Sequence, residues 1–131
     1  MNELAKEILD TVEVGALATV NADRTPLVTP LHFARLGDSI VWISEPTARH
    51  SENAFRNGKA EFVVWDDKKR AVFLKTNVTE LPESEKEAAM AAYKEKLDDF
   101  IPRCQNPQIY VAPIGEFDEK TTTGNWLHFI A

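Results

Sequence analysis

Short runs of apolar and β-branched residues, separated by turn-forming residues, constrain the fold of this chain more than any other feature. Seven runs read as β-strands, namely "GALATV", "TPLVTPLHFARL", "SIVWIS", "AEFVVW", "RAVFLKTNVTEL", "QIYVAPIGEF" and "GNWLHFIA". Polar separators at residues 21–24, 37–38 and 66–69 are typical of turns. The first three runs lie close together, which predicts an antiparallel meander. Because strands and helices do not alternate, a doubly wound parallel sheet is excluded.

Three segments carry helix signals. Asn2 can cap an N-terminal helix with one apolar face, and Gly15 is expected to end it. The stretch "SEPTARHSENAFRNG", residues 44–58, predicts a strand end, a proline turn and a short helix. The longest predicted helix lies near residues 84–101, where Ser84 and Glu87 form a capping box and Pro102 stops it. Its apolar stripe consists of Met90, Tyr93, Leu97 and Phe100 or Ile101.

Two prolines constrain where the second run lies in a sheet. Proline has no N–H group to donate to a neighbouring strand, so Pro26 and Pro30 predict an edge strand or a bulge. The strand and helix signals together predict one mainly β domain over residues 1–131. A small closed or half-closed antiparallel barrel, with helices over its openings, is the economical arrangement.

Charge and composition exclude several classes of function. The 15 basic and 21 acidic residues give a net charge of −6, which argues against a nucleic-acid or anionic-membrane surface but allows a pocket for a small anion. The apolar runs are too short to cross a bilayer, and the N-terminus shows no cleavable apolar segment, so we expect neither a membrane partner nor a signal peptide. Cys104 is the one cysteine, which predicts a reducing, cytoplasmic setting.

No catalytic or cofactor motif of known spacing is present in the sequence. It contains no glycine-rich phosphate loop, no nucleophile elbow and no zinc-binding helix motif. The three histidines, His32, His50 and His128, lie on separate elements without ligand spacing, so we expect no metal site. Neither His32 nor His128 has a neighbour that identifies a catalytic acid or base, and none is assigned.

The adjacent Arg49 and His50 are the strongest local signal. Both fall in the first turn of the predicted short helix, where the helix dipole disfavours cations unless an anion offsets them. Backbone N–H groups and two cationic side chains at this point suit a phosphate. Alternatively, the pair lies on a solvated face beside Glu45 and Glu52, and this stretch alone favours that interpretation.

Three tryptophans and one proline-containing strand complete the candidate residues. Trp42 and Trp65 can flank a flat cofactor, but strand tryptophans usually belong to a core or a dimer interface, which we prefer here. Trp126 follows the polar loop "TTTGN" and can reach a partner subunit. Residues 29–32 either present backbone groups to a heterocycle or belong to an ordinary edge strand.

Taken together, these features resemble the pyridoxamine 5′-phosphate oxidase-like, FMN-binding split-barrel superfamily. The matching segment is "GALATVNADRTPLVTPLHFARLGDSIVWISEPTARHSENAFRNGKAEFVVWDD", about the first half of the chain. In that family the slot of Arg49 and His50 usually holds an Arg-Lys pair, and Asn53 fits the asparagine that follows. The resemblance implies a six- to seven-stranded antiparallel split β-barrel. An N-terminal helix, a short helix after strand 3 and a longer helix near residues 84–101 would flank it.

The resemblance also implies a homodimer with FMN at the subunit interface. Strand residues would border the isoalloxazine, the start of the short helix would take the phosphate, and Trp126 of the partner subunit would add a contact. The implied cofactor-binding residues are Val28, Thr29, Pro30, Leu31, Trp42, Ile43, Ser44, Thr47, Arg49, His50 and Trp126. Because His50 replaces the usual lysine, phosphate binding is expected to weaken as pH rises through the histidine's titration.

The function expected from this resemblance is that of an FMN-dependent oxidoreductase acting with a small-molecule substrate or electron donor. The chain lacks the longer C-terminal part with which true pyridoxamine-phosphate oxidases grip their substrate, so the vitamin B6 reaction is not expected. A deazaflavin, F420, is an alternative to FMN. A non-catalytic flavin- or haem-binding protein, with His50 or His128 as an axial ligand, is a second alternative. A degenerate fold with an empty site is a third.

Overall fold

Two β-sheets form the body of the protein in the computed structural model, which describes residues 1–98 and 102–131. In chain order the strands are β1 (Val14–Val20), β2 (Pro26–His32), β3 (Ala34–Leu36), β4 (Ser39–Ser44), β5 (Lys59–Trp65), β6 (Ala71–Asn77), β7 (Thr79–Glu80), β8 (Gln108–Pro113), β9 (Glu116–Phe117) and β10 (Trp126–Ile130). The helices are α1 (Glu3–Thr11), α2 (Arg49–Asn57) and α3 (Lys86–Leu97), with a 3₁₀ turn over Glu83–Glu85 before α3. The mainly β split-barrel prediction is therefore confirmed.

The two sheets have different sizes and one unexpected pairing. The six-stranded sheet has the order β2-β1-β5-β6-β10-β9, and the four-stranded sheet has the order β3-β4-β8-β7. Strand β10 runs parallel to β6, so the prediction of a wholly antiparallel barrel is wrong at this pair. The reason is topological, because the chain returns to the edge of β6 only after it has built β7, α3, β8 and β9.

Three of the seven predicted runs are each divided between the two sheets. The breaks fall at Phe33, Val78 and Ile114, which are 0%, 4% and 3% exposed. A strand that leaves one sheet for another must bend, and the residue at the bend stays within the core between the sheets. The described residues therefore contain ten strands where the sequence pattern predicts seven.

The main core lies between the sheets and beneath α1. It combines the inward side chains of both sheets, such as Phe62 and Trp42, with the apolar face of α1. Asn2 caps α1 as predicted, because its Oδ1 accepts a hydrogen bond of 3.0 Å from the N–H of Ala5. The prediction that Gly15 ends this helix is wrong. The helix ends at Thr11, and Gly15 lies in β1, where a Cβ would overlap the ring of Phe62.

Helix α3 packs on the outer face of the four-stranded sheet. Tyr93 and Leu97 are buried there, and Met90 packs at the edge of the same cluster. The predicted capping box is wrong, because Ser84 lies in the 3₁₀ turn and no described side chain caps α3. The predicted stripe positions 100 and 101 lie outside the described residues.

The proline prediction for β2 is resolved in favour of an edge strand. Strand β2 is the outermost strand of its sheet, and one side of it has no neighbour. Its register with β1 runs without interruption from Val14 opposite His32 to Val20 opposite Pro26, so there is no bulge within this pair. None of the three helices in the described ranges has the length and apolar character needed to cross a bilayer.

Candidate functional site

A cleft of about 260 Å³ lies where the barrel is split between β2 and β4. The two strands belong to different sheets and are not paired with each other, so the gap between them is open to ligands. Most of the cleft wall is apolar, and its polar groups come from a few side chains. The lining residues are Pro30, Leu31, His32, Ile43, Ser44, Glu45, Ala48, Tyr93, Pro102 and Cys104.

The N-terminus of α2 lies at one end of this cleft. After β4 the chain makes a turn in which the N–H of Ala48 donates to the carbonyl of Glu45 at 3.1 Å. Ala48 lines the cleft and is the N-cap residue of α2. No described side chain caps this helix, so its first N–H groups have no protein acceptor of that kind. An uncapped helix N-terminus beside a cleft favours an anion.

Arg49 faces a second, polar hollow of about 350 Å³ between α2 and the β1–β2 turn. The carboxylate of Asp23 lies in the same hollow. Hydrogen bonds from Thr25 lower the pKa of Asp23, and the charge of Arg49 makes a smaller contribution in the same direction. The protein thus places one carboxylate of its own near Arg49, while the arginine side chain stays exposed at the first position of α2.

His50 has different surroundings from Arg49. Its Nε2 lies 2.8 Å from the hydroxyl oxygen of Ser44 on β4, and the residue is half-buried. Burial lowers the pKa of His50 below its ordinary value of 6.5, so the imidazole is neutral at pH 7. The structure therefore does not bring Arg49 and His50 together as a pair of cations facing one ligand.

The lowered pKa of His50 predicts a specific loss of stability in acid. The unfolded chain binds more protons than the folded protein between the folded pKa and 6.5, so the free energy of unfolding falls as pH decreases through this window. We expect His50→Gln, which can still hydrogen-bond Ser44, to lose less stability than the wild type between pH 7 and pH 5. Thermal melts of both proteins across this range measure the difference. An equal loss of stability in the wild type and in His50→Gln would contradict a neutral, buried His50.

Asn53 fixes the position of α2, a role that the sequence pattern did not indicate. It is 2% exposed, and its Nδ2 donates to Thr19 Oγ1 at 3.1 Å and to Asn21 Oδ1 at 2.9 Å. Its Oδ1 accepts a hydrogen bond of 3.0 Å from Arg56 Nη1. These contacts hold the helix against β1 and the following turn, and so they set where the N-terminus of α2 lies relative to the cleft.

The other residues implied by the family resemblance are divided among several places. Pro30, Leu31, Ile43 and Ser44 line the cleft. Thr29 is partly buried on β2, and Thr47 is exposed in the turn before α2. Trp42 does not border the cleft, because it is 1% exposed and stacks in the core against Phe62 at a centroid distance of 6.1 Å.

Trp126 lies on the outward face of the six-stranded sheet, which we define by two rows of register partners, and Val28 points to the same side, two residues before Pro30 on β2. The first row consists of Pro30, Ala16, Val63, Phe73 and His128, and the second of Trp65, Ala71 and Trp126. Val28 is 64% exposed, and Trp65 and Trp126 are each 55% exposed. His128 stacks on Phe73 at a centroid distance of 4.3 Å. A soluble monomer rarely exposes so continuous an apolar surface.

Two cleft residues escaped the sequence interpretation. Tyr93 was assigned to an apolar helix stripe, and Cys104 was used to infer the redox setting alone. Tyr93 is 1% exposed and its hydroxyl has no hydrogen-bond partner among residues 1–98 and 102–131. A phenol among apolar stripe positions is the one signal that the sequence offered.

Within residues 1–98 and 102–131, no three histidine, cysteine or acidic side chains are arranged to hold a metal ion.

Comparisons with known proteins give a family and a fold. The family model for pyridoxamine 5′-phosphate oxidase matches residues 1–112. A search of curated proteins found no match. Among solved structures, a haem-binding protein from Mycobacterium smegmatis has a TM-score of 0.74 and 20% identity over 86% of this chain, which spans half the length of that protein.

Two further solved structures are similar over most of their own length. A FAD-binding protein from Mesorhizobium loti has a TM-score of 0.68 and 20% identity, with 88% of this chain and 91% of that chain covered. An F420 reductase has a TM-score of 0.67 and 20% identity, with 82% of this chain and 90% of that chain covered. At this level of identity the similarity shows a shared fold, and the structures that share it include flavin-, deazaflavin- and haem-associated proteins.

Proposed function

The chain belongs to the pyridoxamine 5′-phosphate oxidase family, and we propose that it is an FMN-binding flavoprotein that acts as an FMN-dependent oxidoreductase. One observation carries the proposal. The cleft between β2 and β4 ends at the N-terminus of α2, which no described side chain caps and where Arg49 is exposed. An apolar cleft that leads to a site for an anion has the chemistry of a planar heterocycle joined to a phosphate.

The residues of the cleft fit such a group. Leu31 and Ile43 offer apolar contacts to a flat ring, and the buried hydroxyl of Tyr93 lacks a partner among the described residues. We propose that Thr47, Arg49 and the first N–H groups of α2 hold the phosphate. His50 can contribute a hydrogen bond from a neutral ring. FMN bound in this way would supply hydride or single-electron transfer, while the protein orients it and excludes water.

The reaction partner in this proposal is a small-molecule substrate or electron donor such as a reduced nicotinamide. The vitamin B6 reaction is not part of the proposal. We assign no catalytic acid or base. Cys104 as the one cysteine fits a reducing compartment, and the cytoplasm is the proposed location.

A homodimer formed through the outward face is part of this proposal. The face is apolar across five strands, and its exposed tryptophans Trp65 and Trp126 are of a type that is enriched at interfaces. Pro30 belongs both to this face and to the cleft lining, so a partner subunit seated on the face would come close to the cleft. The partner subunit's Trp126 is proposed to contact the cofactor from that side.

Titration of the purified protein with FMN, followed by flavin fluorescence and the visible spectrum, tests this function. We expect saturable binding that changes the flavin spectrum, and reduction of the bound flavin by NADH or NADPH. Binding without reduction by any donor would leave a flavin carrier and contradict the enzymatic part. Absence of FMN binding would overturn the proposal as a whole.

A haem-binding protein is the second candidate, and it is favoured by the similarity in fold to the haem-binding protein from Mycobacterium smegmatis. His128 on the outward face is the better candidate for an axial ligand, because His50 already contacts the hydroxyl of Ser44. A Soret band that appears with one equivalent of haemin and is lost in His128→Ala would support this candidate. The same spectrum in both proteins would contradict it.

A further inference from the structure

Tyr93 combines burial and an unpaired hydroxyl with a position in the lining of the cleft. Its side chain is buried between α3 and the four-stranded sheet, at 1% exposure. Its hydroxyl has no hydrogen-bond partner within residues 1–98 and 102–131. Buried polar groups are nearly always paired, because an unpaired one has given up its hydrogen bonds to water without replacement. The side chain also lines the cleft between β2 and β4, so the missing partner can be a ligand.

We propose that the Tyr93 hydroxyl is a ligand-binding group, which donates a hydrogen bond to an acceptor oxygen or nitrogen on the heterocycle bound in the cleft. This inference rests on the proposed function and assigns to α3 a part in holding the flavin. The ligand class that this hydroxyl would recognise is a planar ring with a carbonyl or imine acceptor at the edge that faces α3.

The surroundings of Tyr93 make it a neutral donor. Burial raises the pKa of Tyr93 to about 12, with a further contribution from Cys104, so the phenol keeps its proton throughout the physiological range. The pKa of Cys104 is itself raised by burial and by the charge of Glu45, so the thiol beside it is protonated as well. The α3 side of the cleft therefore offers uncharged donors, which suit a neutral carbonyl or ring nitrogen better than an anion.

Residues 102–106 border this side of the cleft. The carboxylate of Glu45 accepts hydrogen bonds from the backbone N–H groups of Gln105 and Asn106, the latter at 3.3 Å. Glu45 lies in the turn between β4 and α2, so this contact joins the turn to the segment that carries Cys104. Tyr93 thus faces a wall that the protein has already positioned.

A matched pair of single-hydroxyl deletions tests the assignment. Tyr93→Phe and Tyr110→Phe each remove one buried hydroxyl from a residue that is 1% exposed. The Tyr110 hydroxyl likewise has no hydrogen-bond partner among the described residues, but Tyr110 is not part of the cleft lining. We expect Tyr93→Phe to weaken FMN binding by about tenfold and to shift the visible band of the bound flavin. Tyr110→Phe should leave both unchanged.

Thermal melts of the FMN-free proteins separate a ligand contact from a structural one. Removing a hydroxyl that has no partner should not lower the melting temperature, so Tyr93→Phe is expected to melt at or above the wild type. Equal FMN affinity and an identical flavin spectrum in Tyr93→Phe and wild type would overturn the assignment alone. A lowered melting temperature of FMN-free Tyr93→Phe would also overturn it. Failure of the wild type to bind FMN would overturn the proposed function, and this assignment with it.

Discussion

Replacing Arg49 with alanine is expected to weaken FMN binding by about ten- to a hundredfold. A hydrogen bond to a charged group contributes roughly 1.5–3 kcal/mol, and every 1.4 kcal/mol changes the dissociation constant tenfold. Arg49 is exposed at the first position of α2, and no described side chain caps that helix. The double variant Arg49→Ala/His50→Ala should lose well beyond tenfold, with most of the loss due to Arg49, because burial keeps His50 neutral.

Riboflavin, which lacks the phosphate, is the control ligand for this experiment. Arg49→Ala should leave riboflavin affinity unchanged, because the proposed contact is to the phosphate alone. Lys6→Ala is the control variant, since it removes one exposed positive charge from α1, away from the cleft and from the hollow beside Arg49. An equal loss for riboflavin and FMN, or for Arg49→Ala and Lys6→Ala, would contradict the proposed position of the phosphate.

Replacing Val63 with glutamate is expected to convert the proposed dimer to a monomer. Val63 lies in the middle of the first row of the outward face, between Ala16 and Phe73. A carboxylate here would be buried without a partner in a dimer and faced by its symmetry mate, which should weaken association by about a hundredfold or more. Light scattering of wild type and variant measures the mass. FMN affinity should fall with the dimer, because the proposed site lies at the interface.

Asn77→Glu is the matched control for the interface variant. It adds the same charge to the same face of the sheet, but next to Lys59 and beyond the apolar rows. We expect this variant to remain a dimer and to bind FMN. If Val63→Glu has the same mass as the wild type, the outward face is not the interface. If Val63→Glu is monomeric and still binds FMN with unchanged affinity, the interface is right but the cofactor site is complete within one subunit.

Local chemistry decided which parts of the fold could be predicted from the sequence. Pro26 and Pro30 limited β2 to an edge position or a bulge, because a missing N–H has the same consequence in any sheet, and the structure shows the edge position. The crossings at Phe33, Val78 and Ile114 could not be predicted. An apolar residue at a bend between two sheets continues the pattern of a strand, so periodicity gives no sign that the strand has changed partners.

The sequence indicated which strands contribute to the candidate site, but not the surroundings of each side chain. The strand residues that line the cleft follow the order of elements, which a sequence comparison preserves. Adjacency in the sequence did not indicate where Arg49 and His50 each point, because successive residues in a helix point about 100° apart. Neighbours in sequence therefore meet different surroundings, here an open hollow and the Ser44 hydroxyl. The role of Tyr93 was missed because its place in the apolar stripe of a helix predicts only that the side chain is buried. Whether its hydroxyl has a hydrogen-bond partner can be seen only in the structure.

The parallel pairing of β10 with β6 also bears on how quickly this protein can fold. Until β10 arrives, β6 presents a row of unpaired N–H and C=O groups at its open edge, which is a template for pairing with other chains. The entropy of closing the long loop through α3 must be lost before that edge is covered. Chains dominated by such distant pairings fold in roughly milliseconds to seconds. Because β10 pairs with β6 late, the edge of β6 stays exposed during the slowest step of folding. Aggregation through that edge competes with folding during this step.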